Sequence, residues 1–233
     1  MSSDLDICNL ALGFLGDSAN VSSISPPEPS YQAELCAKFY PMARDNFLNM
    51  HNWGFATKRV LPASIAVPAA AAGMWAYAYI APSDCLTVTR VYDPTQADDF
   101  TVTIPQPNDT GWWPGSSTYD AGSTNLGAVV PADFSVETDN NGNDIIYTNQ
   151  AGAAIAYTAR VTDMTKAGPS FTVALAWLLA SYLAGPLLKG ETGMKAAQAM
   201  YKAVLTAKPA ATESDANERR TTMSTTTPWM ANR

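Results

Sequence analysis

The chain has 233 residues, 47% of them hydrophobic, and a formal net charge of −7. That is apolar material enough for one large or two modest domains. The acid excess argues against a general nucleic-acid-gripping surface, which needs clustered Lys and Arg, and the three widely spaced cysteines, Cys8, Cys36 and Cys85, do not suggest a disulfide framework.

The first periodic segment predicts a helix over Asp4–Leu15. Ile7, Leu10, Ala11, Phe14 and Leu15 share one face, Asp4 and Asp6 suit its positive end, and Gly16 fits the residue after the cap. This polar, acidic start does not read as a signal peptide, so folding in a reducing cytoplasm is expected. Val21–Pro29 is a Ser/Pro loop. A longer helix is expected from Ser30 to about Met50, with Cys36, Phe39, Tyr40, Ala43, Phe47 and Met50 inward. Glu34, Lys38, Arg44, Asp45 and Asn49 face water in that reading, and Pro41 is expected to kink or split the helix. Cys8 and Cys36 fall on apolar stripes and read as buried thiols. Gly54 then suggests a tight turn that sends Trp53 and Phe55 into packing.

From Thr57 the texture becomes β. Strands are expected near Lys58–Leu61, Trp75–Ile80, Cys85–Tyr92, Phe100–Ile104, Phe134–Thr138, Asp144–Thr148 and Ala154–Val161. Asp139-Asn-Asn-Gly-Asn143 between two of them is a hairpin signal. Residues 105–131, rich in Gly, Pro, Ser and Asn, read as a long loop carrying Trp112 and Trp113. No Lys or Arg lies between Arg90 and Arg160, where nine acidic residues do.

Asp163–Lys208 organises the rest. Ser170 is the expected N-cap of an apolar helix, and Gly185-Pro186 its interruption. Lys189–Gly193 is expected as a turn, and a second helix runs to Ala207 with Ala197, Tyr201, Val204 and Leu205 as its apolar stripe. Phe171–Leu188 is uncharged and near the lower length of a membrane span. Its many Ala, its Ser and Thr, and lysines on both sides favour a buried helix in an αα-hairpin, with no membrane span. The expected fold is α+β. A helical domain made by both ends of the chain (1–56 and 162–207) carries an inserted antiparallel β domain (57–161), and 208–233 is an extended C-terminal arm. In that arm Trp229 and Met230 are candidate anchors, and Arg219 and Arg220 candidate ionic contacts.

Little in the chain points to catalysis, a metal or a cofactor, and none is expected. His51, the sole histidine, sits beside Trp53 and reads as a packing or capping residue. The cysteine spacings match no zinc pattern, and the nucleophile-elbow, phosphate-loop and dinucleotide fingerprints are missing. Asp139–Asp144 fails as a calcium loop, because its glycine is misplaced and the distal Glu is missing. Asp84 is the best acid for a glycosidase-type mechanism.

Two stretches taken in order carry a likeness. The first is Phe39-Tyr40-Pro41-Met-Ala-Arg44-Asp45 leading to His51-Asn-Trp53-Gly-Phe55-Ala56; the second is Tyr77-Ala-Tyr79-Ile-Ala-Pro82-Ser-Asp84, and the Leu/Ala-rich helix after Asp163 completes the order. Across Asp4 to about Glu218 the chain resembles the tail tubular protein A, or head-to-tail adaptor, family of short-tailed bacteriophages. The resemblance implies a homo-oligomeric ring of twelve copies at the head–tail junction of the virion, assembled in the host cytoplasm. It implies the portal protein and the tail nozzle protein as partners, with tail fibres as a further one, and a C-terminal segment reaching the portal. DNA would pass through the ring without specific binding, and an acidic lining would suit that passage. Tyr40, Pro41, Arg44, Asp45, Trp53 and Phe55 are then structural motif residues. Trp75, Tyr77, Tyr79, Trp112 and Trp113 are candidates for the intersubunit or nozzle surface, with ordinary core as the plain alternative for Trp75–Tyr79. A tail-associated cell-wall hydrolase and a nucleic-acid binder are the competing functions.

Overall fold

A computed structural model describes residues 3–18, 20–69, 71–94, 132–139 and 141–218. The fold is α+β, with two antiparallel sheets. The chain divides into two compact units.

The first unit holds the described residues up to Arg59, Pro82–Thr89, and those from Ala156 on. Helix α1 (Asp4–Phe14) opens with a capping box in which Ser3 and Asp6 bond each other's backbone N–H groups. It closes on Gly16 (φ +76°), with Asp17 N–H bonded to Leu12 C=O and Gly16 N–H to Gly13 C=O. This pair of bonds satisfies carbonyls that the helix end leaves without partners. Helix α2 (Tyr31–Asn49) is capped by Ser30 and runs unbroken through Pro41. Helix α3 (Pro169–Leu188) starts on Pro169 with Gly168 at the cap, so Ser170 is not the cap. Proline suits a first-turn position because its missing N–H would have no helical partner there.

Helix α3 also passes through Gly185-Pro186 without stopping. The break comes at Lys189 (φ 51°) and Gly190 (φ 58°), after which α4 (Gly190–Glu218) begins at once. The close approach is made by Gly193, whose missing side chain lets α4 pass over the backbone of Ala184 and Gly185. A Cβ built on Gly193 would lie 3.0 Å from Ala184 O and 3.4 Å from Gly185 Cα, so the two helices meet glycine to glycine at the turn.

Helix α3 is long and apolar enough to cross a membrane. Here it packs on α1, α2 and α4, burying Phe171, Leu175, Leu178, Leu179 and Leu183 in one core with Ile7, Leu12, Phe47, Trp53 and Val204. Its lack of a polar face follows from being covered by three helices. Cys8 and Cys36 are buried in the same core. Strands β1 (Thr57–Val60), β4 (Cys85–Tyr92) and β7 (Ala154–Ala159) form a three-stranded sheet in the order β1-β7-β4. Most of their residues belong with the helices rather than with a separate β domain over 57–161.

The second unit contains a four-stranded sheet in the order β2-β3-β6-β5, from β2 (Ser64–Ile65), β3 (Tyr77–Ile80), β5 (Phe134–Thr138) and β6 (Asp144–Thr148). β5 and β6 form the expected hairpin, in register from Phe134↔Thr148 to Thr138↔Asp144. Its turn is built by Asp139, whose Oδ1 accepts from Asn141 N–H at 2.7 Å and Asn143 N–H at 2.8 Å, and by Gly142 at φ +81°. On one face Ala78, Ile145 and Tyr147 pack against Ile65, Val67, Ala71 and Trp75. The expected strand at Phe100–Ile104 and the loop 105–131 lie outside the described residues.

The C-terminal segment departs from its expected form. Residues 208–218 are not an extended arm; they are the last turns of α4, continuing through Pro209. Ala211 and Asp215 are buried, in helical register with Val204. Gly193, Val204, Ala211 and Asp215 form the buried stripe of α4, with Met200 and Ala207 packed on the core beside it. The stripe expected to be buried is only partly so, since Tyr201 and Leu205 are exposed. The physical reason is size. Gly193, Ala207 and Ala211 let two backbones approach closely, which Tyr201 and Leu205 would prevent.

Candidate functional site

Of the Tyr-Pro-x-x-Arg-Asp helix, Tyr40 and Asp45 join elements within the helical unit, and Arg44 pairs with Asp45. Tyr40 is buried, and its hydroxyl donates to Asp4 Oδ1 at 2.8 Å, joining α2 to the start of α1. Burial, then the Asp4 carboxylate, pushes the Tyr40 phenol well above its ordinary range. Pro41 is exposed. Arg44 was expected on the wet face but is 8% exposed. Its guanidinium meets Asp45 Oδ1 at 2.8 Å, and the other Asp45 oxygen takes Arg160 Nε at 2.9 Å. Arg160 follows β7, so this carboxylate clamps α2 to the sheet of the same unit. No spacing in the sequence announces a partner so distant along the chain.

The Trp-x-Phe turn is the second joint. Trp53 is 1% exposed and its indole N–H donates to Phe47 C=O at 3.1 Å. The rings of Phe47, Trp53 and Phe55 each meet Phe171 of α3 with centroids 4.8–4.9 Å apart, edge to face. Above this cluster sits Asp215, from the stretch of α4 that was expected to be arm. Its Oδ1 accepts from Gly54 N–H at 2.6 Å, and Oδ2 lies 3.5 Å from His51 Nε2. His51 also packs edge-on against Trp53. The sole histidine is therefore a structural contact between the turn and the end of α4. Sequence reasoning missed Asp215; the signal was its spacing of 4 and 11 residues from Ala211 and Val204.

Asp84 lies at the start of β4. It accepts from Lys58 Nζ at 2.6 Å and from the Tyr157 hydroxyl at 3.0 Å, linking all three strands of the first unit's sheet. The Lys58 ammonium, helped by Tyr157, holds its carboxyl below the ordinary range. A glycosidase acid needs the reverse, a carboxyl kept protonated near neutral pH.

The aromatic candidates of the second unit separate. Tyr79 is not a surface residue: it is 2% exposed, its hydroxyl donates to Gln150 C=O at 3.0 Å, and it accepts from Ala153 N–H at 3.2 Å. Its phenol pins the turn before β7, and that occupation removes it as an intersubunit or nozzle contact. Trp75 is half-buried against the Ala78 cluster. Tyr77 is 39% exposed and is the one of the three still open to a partner. Trp112, Trp113, Arg219, Arg220, Trp229 and Met230 lie outside the described residues.

The surface with the clearest binding character is on the α3–α4 hairpin. Tyr182, Ala197, Tyr201, Leu205 and Lys202 line an open groove of about 550 Å³. Tyr201 and Leu205 are 46% and 58% exposed, and Met194, two turns before Tyr201, is 66% exposed. Spacings of seven and four residues put the three on one stripe. Helix α4 thus has two apolar stripes, one closed on α3 and one open. Among the described residues no group of three metal-ligating side chains comes together. Neither the family models nor the curated protein sequences compared with this chain give a match.

Proposed function

We propose that the chain is a structural head-to-tail adaptor of a bacteriophage virion, a ring-forming component between portal and tail nozzle. The observation that carries this reading is the open apolar stripe on α4 with its groove. A packed helical hairpin that leaves Met194, Tyr201 and Leu205 exposed has a face suited to another protein. The resemblance adds to it: the motif residues Tyr40, Arg44, Asp45, Trp53 and Phe55 hold the helical unit in shape. In this reading the unit is a rigid block placed by its surfaces. The attaching arm is shorter than 208–233, because α4 continues to Glu218; it comprises residues 219–233, with Arg219, Arg220, Trp229 and Met230 as its contacts to the portal. Twelve copies would enclose the DNA channel.

Negative-stain images of the purified chain, alone and mixed with portal protein, test this. Closed rings, free or seated on portal, are expected. A particle that stays monomeric and does not bind portal would end the reading. The competing hydrolase has a poor proton donor in Asp84, whose carboxyl is held below the ordinary range by Lys58. A peptidoglycan zymogram with a clear band in the wild-type lane, lost in Asp84→Asn, would favour it.

A further inference from the structure

The first two helices bring a pair of thiols together. Two hydrogen bonds fix how α1 lies on α2: the Tyr40 hydroxyl donates to Asp4 Oδ1 at 2.8 Å, and Gln32 Nε2 donates to Asp17 Oδ2 at 3.2 Å. The start of α1 therefore meets the middle of α2, and the residues after α1 meet the start of α2, so the two helices run antiparallel. Cys8 is one turn on from Asp4, and Cys36 is one turn back from Tyr40. This register sets the two cysteines opposite each other, between the two hydrogen bonds. Both are 0% exposed in the same core. The thiols also act on each other directly. The hydrogen bond shared with Cys8 pulls the Cys36 thiol down, against burial, while the same bond, helped by burial, pushes the Cys8 thiol up. One sulfur is thereby prepared as a thiolate and the other kept as a proton donor. The third cysteine, Cys85, belongs to β4.

We propose that Cys8 and Cys36 are a redox-sensitive pair, free in reducing surroundings and joined under oxidation by a disulfide that staples α1 to α2. The oxidant is a small-molecule disulfide such as oxidised glutathione. The Cys36 thiolate attacks one of its sulfurs, the reagent's S–S bond breaks, and one glutathione leaves as a thiolate that takes up a proton. Cys8 then gives up its proton and attacks the Cys36 sulfur, and the second glutathione leaves in the same way. Two protein thiols are oxidised, and one small disulfide is reduced to two thiols. The closed core admits no reagent, so the first step waits for α1 to lift, which an outer helix does more readily than the central α3. The same closure drives the second step. A glutathione held on Cys36 has no room once α1 is back in place, whereas a bond between Cys8 and Cys36 adds no atoms. The staple depends only on the packing of α1 against α2, and is independent of the adaptor reading.

The test uses the full chain. Reduced protein is equilibrated in a glutathione buffer rich in the oxidised form, once without denaturant and once by refolding from urea in that buffer, where access to the thiols is unrestricted. In both cases an unreduced peptide map should contain the Cys8 peptide bonded to the Cys36 peptide, with Cys85 outside the pair. Cys85→Ala, which removes the third thiol, should give the same pair and an intact mass lower by two hydrogens. The oxidised chain should melt roughly 5–15 °C above the reduced one. Dithiothreitol should reverse that gain, and Cys8→Ala or Cys36→Ala should lack it. Free or glutathione-capped thiols at both positions after both treatments would overturn the proposal, as would a bond from either residue to Cys85 or to a second chain. A pair found only in urea and lost on refolding would overturn it too, because the fold would then hold the sulfurs apart. The peptide map reads the wild-type chain directly, so the outcome stands even where a core variant fails to fold.

Discussion

The two units solve the same problem by different means. The helical unit buries one continuous core, and its central helix α3 is wrapped by α1, α2 and α4. Polar groups enter it as a few joints between elements distant in sequence: Tyr40 to Asp4, Asp45 to Arg160, Asp215 to Gly54. Among its described residues the second unit packs a small cluster around Ala78, Ile145 and Tyr147, and its strands are tied by turns and side-chain hydrogen bonds. Apolar truncation should therefore hurt the helical unit most, and in either unit the loss of a single buried hydrogen bond should cost less than that.

The sharpest way to break this contrast is Trp53→Ala. It empties the aromatic cluster against Phe171 and removes a buried donor to Phe47 C=O. The expected loss is about 3–5 kcal/mol, measured by denaturant unfolding. A loss below about 1 kcal/mol would mean that the cluster does not hold the unit.

Asp215→Ala comes next. It leaves Gly54 N–H without its 2.6 Å acceptor and removes the contact to His51. A buried donor left unpaired costs about 1–3 kcal/mol. The damage should be local: amides of 208–218 should exchange faster while those of Phe171–Leu183 stay protected. Unchanged exchange at 208–218 would show that the carboxylate does not latch the end of α4.

In the sheet unit, Tyr79→Phe keeps the ring and removes only the hydroxyl, orphaning Gln150 C=O and Ala153 N–H together. About 1–2 kcal/mol is expected, from thermal unfolding followed at the β signal. An effect equal to that of Trp53→Ala would collapse the distinction between the units.

The sequence made visible those elements whose signals are local. α1 has Asp4 and Asp6 at its start and its stop at Gly16, and the hairpin has Asp139 and Gly142, so each could be placed without knowledge of a neighbour. What stayed hidden depended on partners far along the chain. Gly185-Pro186 carries the ordinary marks of a break, yet α3 runs through it, and the close approach belongs to Gly193 of α4. Residues 208–218 are polar enough to read as a tail, yet Ala211 and Asp215 dock on the Trp53 turn. Tyr201 and Leu205 belong to a good amphipathic stripe, but the smaller stripe won the interior because it allowed closer helices. Of the site, Tyr40, Trp53 and Phe55 were legible as packing residues, Arg44 was read as facing water, and the groove emerged only from the choice between two stripes.

The smallest expected effect, that of Asp84→Asn, also discriminates between the two functions. The Lys58 ammonium and the Tyr157 hydroxyl lower the Asp84 pKa from its ordinary 3.8. A carboxylate with a depressed folded-state pKa adds stability that is present above the unfolded value and lost as pH falls through the folded one. Its contribution should hold at pH 5–8 and fade below about pH 4. The side chain is 35% exposed, so solvent screening keeps the effect small. In Asp84→Asn the drop in melting temperature between neutral and acid pH should be slightly shallower than in the wild type. The alkaline side gives an independent reading. Burial, then Asp84, pushes the Tyr157 phenol up to about 12, and the substitution should bring its ultraviolet titration back toward ordinary tyrosine. If neither limb moves, the Lys58–Asp84–Tyr157 linkage is not formed in solution, and Asp84 regains its standing as a proton donor. If both move, the carboxylate is held charged at neutral pH, in the wrong form for an acid that must donate a proton to a leaving sugar oxygen.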